Sequence, residues 1–459
     1  MKTDRAQTNE TLPAPNNQPR PSDPAPIPLP ASFADLLGNF RGCFTAWTYP
    51  VFVALACGLI TQTGRRTVCG MLVGARLSGT WSHHRAHRFF SHATWSAGKL
   101  SAVLTRLVVA RLVPDTEAVS VAIDDTLFRR RGPKVHAASW FHDGSAQGET
   151  KIGYGNNWVI AAIVVRLAVL DRPVALPVGF ALVRKTSDDS SRLELARRLV
   201  EAIAHALPGR RLHVVADSAY AGKALRGLQA DVTWTTRLRS NASLWQLAPP
   251  RTGKRGRPRL KGPKLPSLAT LANSELFRPV TVTRYHTTTT VSVAVIHCLW
   301  YGVFGPQTVQ VVLVRDKCTT GYNIALVTTD LQASPETIIE RYASRWSIEV
   351  AIEDAKQLGG VGQAHNRLPA AVQRTVPFAL SINTLAICWY ATAGAHPADV
   401  EARRNIAPWY RHKTQPSVLD MLAKLRRVII AAQLHRIGPQ APTPEEIGIL
   451  RLAWEDVAA

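Results

Sequence analysis

Between residues 118 and 238 the hydrophobic runs follow one fixed order, and that order limits the fold more than any other feature. AVSVAI (118–123) reads as a strand that stops at Asp124-Asp125. NNWVIAAIVVRLAVL (156–170) and VALPVGFALVRK (174–185) read as a second and a third strand. Ser191, with Glu194 three residues on, makes a capping box that opens a helix through about Ala206, closed by Leu207-Pro208-Gly209. RLHVVA (211–216) is a fourth strand and ends at Asp217, YAGKALRGL is a short helix, and VTWTTRL (232–238) is a fifth strand. The result is βββαβαβ, an α/β chain with a mixed sheet flanked by helices. An aspartate closes the first and the fourth strand.

For about ninety residues the order then breaks. Residues 248–266, APPRTGKRGRPRLKGPKLP, are dense in Arg, Lys, Gly and Pro. VTVTRYHTTTTVSVAVIHCLWYG, TVQVVLV and YNIALVTT follow, and their Thr- and Val-rich alternation marks strands. A basic loop and a β-rich insertion are expected over 240–333. Ser334 as N-cap and Pro335 at the first helical position next open a helix toward Gly359-Gly360, which Ser347 could interrupt. On it Tyr342, Arg345, Glu349 and Lys356 fall at spacings of three, four and seven, along one face. Taken alone, such charges read as a solvated, salt-bridged surface. The two strand-end aspartates upstream give the stripe its weight.

Brought together, the two strand-end aspartates and the helix glutamate would offer three hard anionic oxygens, a set suited to Mg²⁺ with water and substrate phosphate as further ligands. Two such ions about 3.5–4 Å apart can activate a water or a 3′-hydroxyl and stabilise a leaving oxygen in displacement at a phosphodiester. Arg345 and Lys356 would hold phosphates, Arg as a fork and Lys as a point charge. Tyr342 could bond a phosphate or stack on a displaced base.

The charge agrees with such a substrate. A net charge of +23 and a pI near 10.4 imply a polyanionic partner, most often nucleic acid. Membrane insertion is not expected. The longest apolar stretch, 376–391, is short of a span and carries Ser381, Asn383 and Thr384, which reads as a core helix. No signal peptide begins the chain, and six scattered cysteines without a CxxC pair read as reduced core residues, so a cytoplasmic, nucleoid-associated protein is expected. Residues 1–31 are proline-rich and expected to be disordered. Residues 32–112 read as a helical DNA-binding domain. In it WSHHRAHRFFSHATW reads as a basic, aromatic DNA-contacting segment; Arg85 and Arg88 argue against a metal pair at His83 and His87. From about 367 the chain is helical, and 396–459 form a helical C-terminal region.

Lys254, Arg255, Arg257 and Arg259 lie in a basic loop whose Gly256-Arg257-Pro258 is the core of an AT-hook. An extended Arg-Pro segment of that kind can enter a narrow A·T minor groove; a flexible loop binding phosphates non-specifically is the plainer alternative. Arg129, Arg130, Arg131 and Lys134 follow the first strand and would border the site. Trp234 and Trp245 are expected to pack in the core before they would stack on a base, and Tyr220 to orient the turn after Asp217.

The strand order is that of an RNase H-like core. IDDT (123–126), ADSAY (216–220) and YASRWSIEVAIEDAK (342–356) resemble the DDE transposases of bacterial insertion sequences. The third segment fits that group's Tyr-x2-Arg-x3-Glu-x6-Lys signature at every fixed position. The resemblance covers about 118–390 and implies a core in two parts, 113–239 and 334–395, around the insertion. It implies cleavage of DNA at transposon terminal inverted repeats and joining to target DNA, with Mg²⁺ or Mn²⁺, by a DNA-bound homodimer. Asp217 is then the second carboxylate and Glu349 the third, with Glu353 a decoy one turn on. The first is Asp124, with Asp125 as the alternative; adjacent strand residues face opposite ways, so only one can join the site. A domesticated, non-catalytic DNA-binding protein and a simple nuclease of the same fold are the competing readings.

Overall fold

A computed structural model of the protein describes residues 27–144, 150–185, 191–250, 257–285, 287–316 and 320–434, with 444 and 448. The proline-rich residues 1–26, Lys254 and Arg255, and most of the chain past 434 lie outside the described residues.

The first strand, β1 (Val119–Arg129), does not stop at Asp124-Asp125 but runs through them. Pairing is the reason. β3 (Ile152–Arg166) lies antiparallel to β1 from Ser120↔Val164 to Arg129↔Gly155, so the backbone past Asp125 still has a partner. β4 (Pro173–Leu182) pairs with the later part of β3. A short strand that the sequence reading missed, β2 (Ser139–His142), pairs with its start. The capping box is present in full: Ser191 Oγ accepts from the Glu194 N–H at 3.2 Å, and Glu194 Oε2 accepts from the Ser191 N–H at 2.7 Å. The helix it opens is α6 (Arg192–Ala206). β5 (Leu212–Ala216) and β6 (Val232–Arg237) add parallel strands beside β1. The short helix expected between them is a three-residue 3₁₀ turn, Lys223–Leu225. The order β4-β3-β1-β5-β6 is that of an RNase H-like core.

The β-rich insertion joins this sheet. β7 (Arg278–Arg284), β8 (Thr287–Leu299), β9 (Thr308–Arg315) and β10 (Ile324–Thr328) pair antiparallel in turn. β10 then pairs with β6 through Leu326↔Arg237, giving ten strands in one sheet. A short helix, α7 (Leu268–Ser274), precedes these strands, and another, α8 (Tyr301–Phe304), links β8 to β9.

The N-terminal helices α1 (Ala31–Gly38), α2 (Thr48–Thr61), α3 (Val68–Gly74), α4 (His83–Ser91) and α5 (Ala97–Leu112) share the core of the sheet domain. They gather on α11 (Pro369–Trp389), where Phe378 is ringed by Phe52, Phe89 and Phe90 at centroid distances of 6.0, 6.0 and 5.2 Å. With the turn that follows it, α11 is the one described helix long and apolar enough to cross a membrane, but it is 78% buried inside the protein. It is the core helix that its polar residues predict; Thr384 donates to the Pro177 carbonyl at 2.8 Å. α12 (Asp399–Ile406) and α13 (Val418–Leu434) follow.

One expected helix is two. α9 (Pro335–Ser344) begins where Ser334 and Pro335 predict, with Ser334 Oγ accepting from the Thr337 N–H at 3.2 Å. It ends at Arg345, not at Ser347, and α10 (Trp346–Gln357) takes over. At the joint the Arg345 N–H donates to Tyr342 O at 3.1 Å and the Ile348 N–H to Arg345 O at 3.0 Å. These i→i+3 bonds tighten the chain locally. α9 crosses β5, β6, β10 and β7, and α10 lies on β1, β3 and β4.

Candidate active site

The last matched pair of the parallel β1–β5 ladder is Ile123↔Ala216. Asp124 and Asp217 are the next residues, Asp124 within β1 and Asp217 just past the end of the neighbouring β5. Asp217 is fixed by its turn: its Oδ1 accepts from the Ala219 N–H at 2.6 Å, and its carbonyl accepts from Thr236 Oγ1 at 2.7 Å.

Asp124 and Asp125 point to opposite faces of β1. Asp124 faces α10. Its Oδ2 lies 3.6 Å from Arg345 Nη1, and Arg345 Nη2 donates to Glu349 Oε1 at 2.7 Å. Asp125 faces α6 and is occupied there. It accepts from Tyr220 Oη at 2.9 Å and from Asn157 Nδ2 at 3.0 Å, and it pairs with Arg192 at 3.4 Å. Tyr220 and Asn157 are each 1% exposed. This network explains Tyr220, which orients more than the turn. Sequence reasoning missed Asn157 and Arg192 because neither is near Asp125 in the chain.

The four helix residues remain on one side although the helix is broken. Arg345 sits at the joint between Asp124 and Glu349. Burial pulls its pKa down, but the bond and charge of Glu349, with Asp124, outweigh this and hold it above the ordinary value. Tyr342, on α9, is half-buried; burial raises its hydroxyl pKa against the charge of Arg345, and the Asp217 charge adds to the rise. Lys356 Nζ donates to Thr126 Oγ1 at 2.6 Å, two residues past Asp124 on the same face of β1. Burial lowers its pKa. Glu353 turns outward, where Gln357 Nε2 donates to it at 2.9 Å.

Burial pushes the Asp124 carboxyl up to about 7, against the N–H of Asp125 and the charge of Arg345. A buried carboxyl so raised has too little positive charge nearby. The donor set suits a divalent cation in its chemistry: hard carboxylate oxygens from Asp124, Asp217 and Glu349, two of them balanced at present by one guanidinium. Among the described residues no three His, Cys, Asp or Glu side chains converge closely enough to hold an ion as they stand. Arg345 occupies the space between Asp124 and Glu349.

Other expected contacts are spread out. Arg257 and Arg259 are exposed, in a loop tied to the sheet through the Trp245↔Lys264 and Trp245↔Leu299 bridges. Lys261 lies over the Trp245 ring at 3.3 Å. Trp234 is fully buried, as its core reading predicts. In α4, His83 and His87 are 6.1 Å apart between ring centroids, and His87 lies 3.6 Å from the Cys69 thiol. Arg130, expected to border the site, is only 5% exposed.

The family model of the DDE superfamily endonucleases matches residues 39–305, which takes in both aspartates and stops short of Arg345 and Glu349. A comparison with curated proteins finds no match. A cryo-EM structure of a piggyBac transposase synaptic complex with hairpin DNA aligns over 93% of this chain and 80% of that one, at 14% identity and a TM-score of 0.38, a likeness too distant to carry an argument. With more than half of its length matched by the family model, the chain belongs to the DDE superfamily of endonucleases.

Proposed function

We propose that the protein is a DNA transposase of a bacterial insertion sequence, which cuts at transposon terminal inverted repeats and joins the ends to target DNA. The observation that carries the reading is the meeting of Asp124, beside Asp217, with the Arg345–Glu349 pair on one face of an RNase H-like sheet. Endonucleases of this superfamily depend on a divalent metal. A divalent cation held by Asp124, Asp217 and Glu349, Mg²⁺ or Mn²⁺, supplies when bound an activated water or 3′-hydroxyl and stabilises the leaving oxygen. Arg345 balances Asp124 and Glu349 in the free protein and turns its remaining donors toward substrate phosphate. Lys356, anchored on Thr126, holds a second phosphate, and Tyr342 bonds a phosphate or stacks on a displaced base. Residues 32–112 and the loop with Lys254, Arg255, Arg257 and Arg259 bind the DNA ends, which a homodimer holds together.

The test uses DNA from the gene's own locus, with flanks long enough to hold both element ends, incubated with protein, Mg²⁺ and a target plasmid. Discrete cuts at matching inverted ends with joined products, lost in Ca²⁺ and with Glu349→Gln, are the expected result. Binding without cleavage in Mg²⁺ or Mn²⁺ refutes it in favour of a domesticated DNA-binding protein, and scattered cuts without joining refute it in favour of a simple nuclease.

A further inference from the structure

Past Lys356 a groove opens between the end of β1 and the segment after α10, lined by Phe128, Arg129, Asp143, Lys356, Gln363 and His365. Its one acid is already taken: Arg129 Nε and Nη2 both donate to Asp143 Oδ2, at 3.0 and 2.8 Å. Under the groove lies Arg130. Its Nε donates to Asn156 Oδ1 at 3.0 Å, and its Nη1 donates to the carbonyls of Gly362 and Ala364 at 2.8 and 3.3 Å. Its Nη2 is buried with no hydrogen-bond partner among the described residues. Among the described residues no carboxylate is among its partners. Burial lowers its pKa only to about 10, so the guanidinium is charged at neutral pH. A buried charge without a counter-charge is costly, and the protein carries this one beside an open groove.

Three exposed basic side chains surround it: Arg131, His365, and Arg65 from the link between α2 and α3. Among the described residues none of the three has an ion-pair partner. They share one region, because the ring of His365, already lowered by burial, is lowered further by the charges of Arg130, Arg65 and Arg131. The link is pinned in place. The Arg66 N–H donates to Gln363 Oε1 at 2.6 Å, and Gly360, at φ +67°, lies so close that a Cβ there would be 2.6 Å from Arg66 Cδ. Three guanidinium groups and one imidazole from three chain segments are thus held at one groove, whose one acid, Asp143, is taken by Arg129.

We propose that Arg65, Arg130, Arg131 and His365 form a phosphate-binding patch that holds the backbone of a DNA strand on the Lys356 side of the carboxylates. That the polyanion is DNA rests on the proposed function; the geometry of the patch does not. The duplex backbone supplies the missing counter-charge of Arg130 at the groove mouth, with Arg65 and Arg131 on either side of the strand.

Binding of a labelled duplex of about 30 base pairs, followed by anisotropy in EDTA across about 50–200 mM KCl, tests it through the salt slope. Each lost phosphate contact lowers the slope of log K against log[salt] by about 0.9, so Arg65→Ala with Arg131→Ala should lower it by about 2. A control pair, Arg198→Ala with Lys223→Ala, removes two exposed cations at α6 and its neighbouring 3₁₀ turn, on the Asp125 side of the sheet, and should leave the slope near wild type. An unchanged slope in the first variant, or an equal fall in both, overturns the patch. If the alanine pair does not fold, Arg65→Gln with Arg131→Gln carries the same expectation. The assay needs no cleavage. A slope change in a protein that never cuts leaves the patch standing and removes the transposase reading, whereas cutting with an unchanged slope removes the patch alone.

Discussion

Replacing Asp124 and Asp125 one at a time separates two adjacent carboxylates by what each does. Asp125→Ala leaves Tyr220 Oη and Asn157 Nδ2 buried without their acceptor. A buried donor so orphaned costs about 1–3 kcal/mol. The Arg192 pair adds a few tenths at most, since that side chain is 35% exposed. The sum is about 4 kcal/mol. At about 2.1 cal/mol/K per residue the unfolding entropy of 459 residues is about 1 kcal/mol/K, so the melting temperature should fall by about 4 °C. Asp124→Asn acts the other way. Its carboxyl is held at about 7 against an ordinary 3.8, mainly by burial, so keeping it ionised at pH 7.5 costs up to about 4 kcal/mol. A neutral amide removes that cost, and the melting temperature should rise or stay level. Thermal unfolding without metal gives the first readout, and nicking of end-bearing DNA in Mg²⁺ the second. Asp124→Asn should abolish nicking in a protein at least as stable as wild type. If Asp125→Ala keeps full stability, or Asp124→Asn still nicks, the division of roles drawn from the two faces of β1 is wrong.

Two further predictions concern the frame. In Gly58, where α2 meets α3, an added Cβ would fall 1.7 Å from Met71 O, and one on Gly74 would fall 2.4 Å from Gly58 O. Backbone cannot yield as a side-chain tip can, so Gly58→Ala should cost about 3 kcal/mol by denaturant unfolding; Gly42→Ala, with nothing within 4 Å, should be near neutral, and equal effects would refute the close-approach argument. His213 shares a 2.6 Å hydrogen bond with Thr233 Oγ1, and burial, then Arg341, press its pKa from 6.5 to about 4. A histidine depressed in the fold takes its proton first in the unfolded chain, so stability is lost as pH falls from about 6.5 to about 4, by about 3 kcal/mol, and no further below. His213→Asn should flatten the stability curve in that window, and curves that stay parallel to wild type would refute it.

What the sequence disclosed, and what it withheld, divides along the reach of the interactions. The capping box at Ser191, the N-cap at Ser334 and the buried helix around Phe378 were legible because each is decided within a few residues or by a polar-apolar pattern. The end of β1 was misread because Asp124-Asp125 resembles a stop, while the backbone beyond it is satisfied by β3, some thirty residues later. The union of the insertion with the core sheet depends on Leu326 meeting Arg237, a pairing that no local pattern announces. The break at Arg345 carries no Pro or Gly to mark it. Yet it bears on the site, because Arg345 at a helix joint can reach Glu349 on one side and Asp124 on the other. The same limit governs the choice between the two aspartates. Alternation shows that only one can face α10, but which one depends on Tyr220, Asn157 and Arg192 claiming Asp125 from the other face. A structural residue with three partners and a buried carboxyl raised to about 7 stand one position apart. Their neighbours across the sheet, and nothing in the dipeptide itself, give them different work.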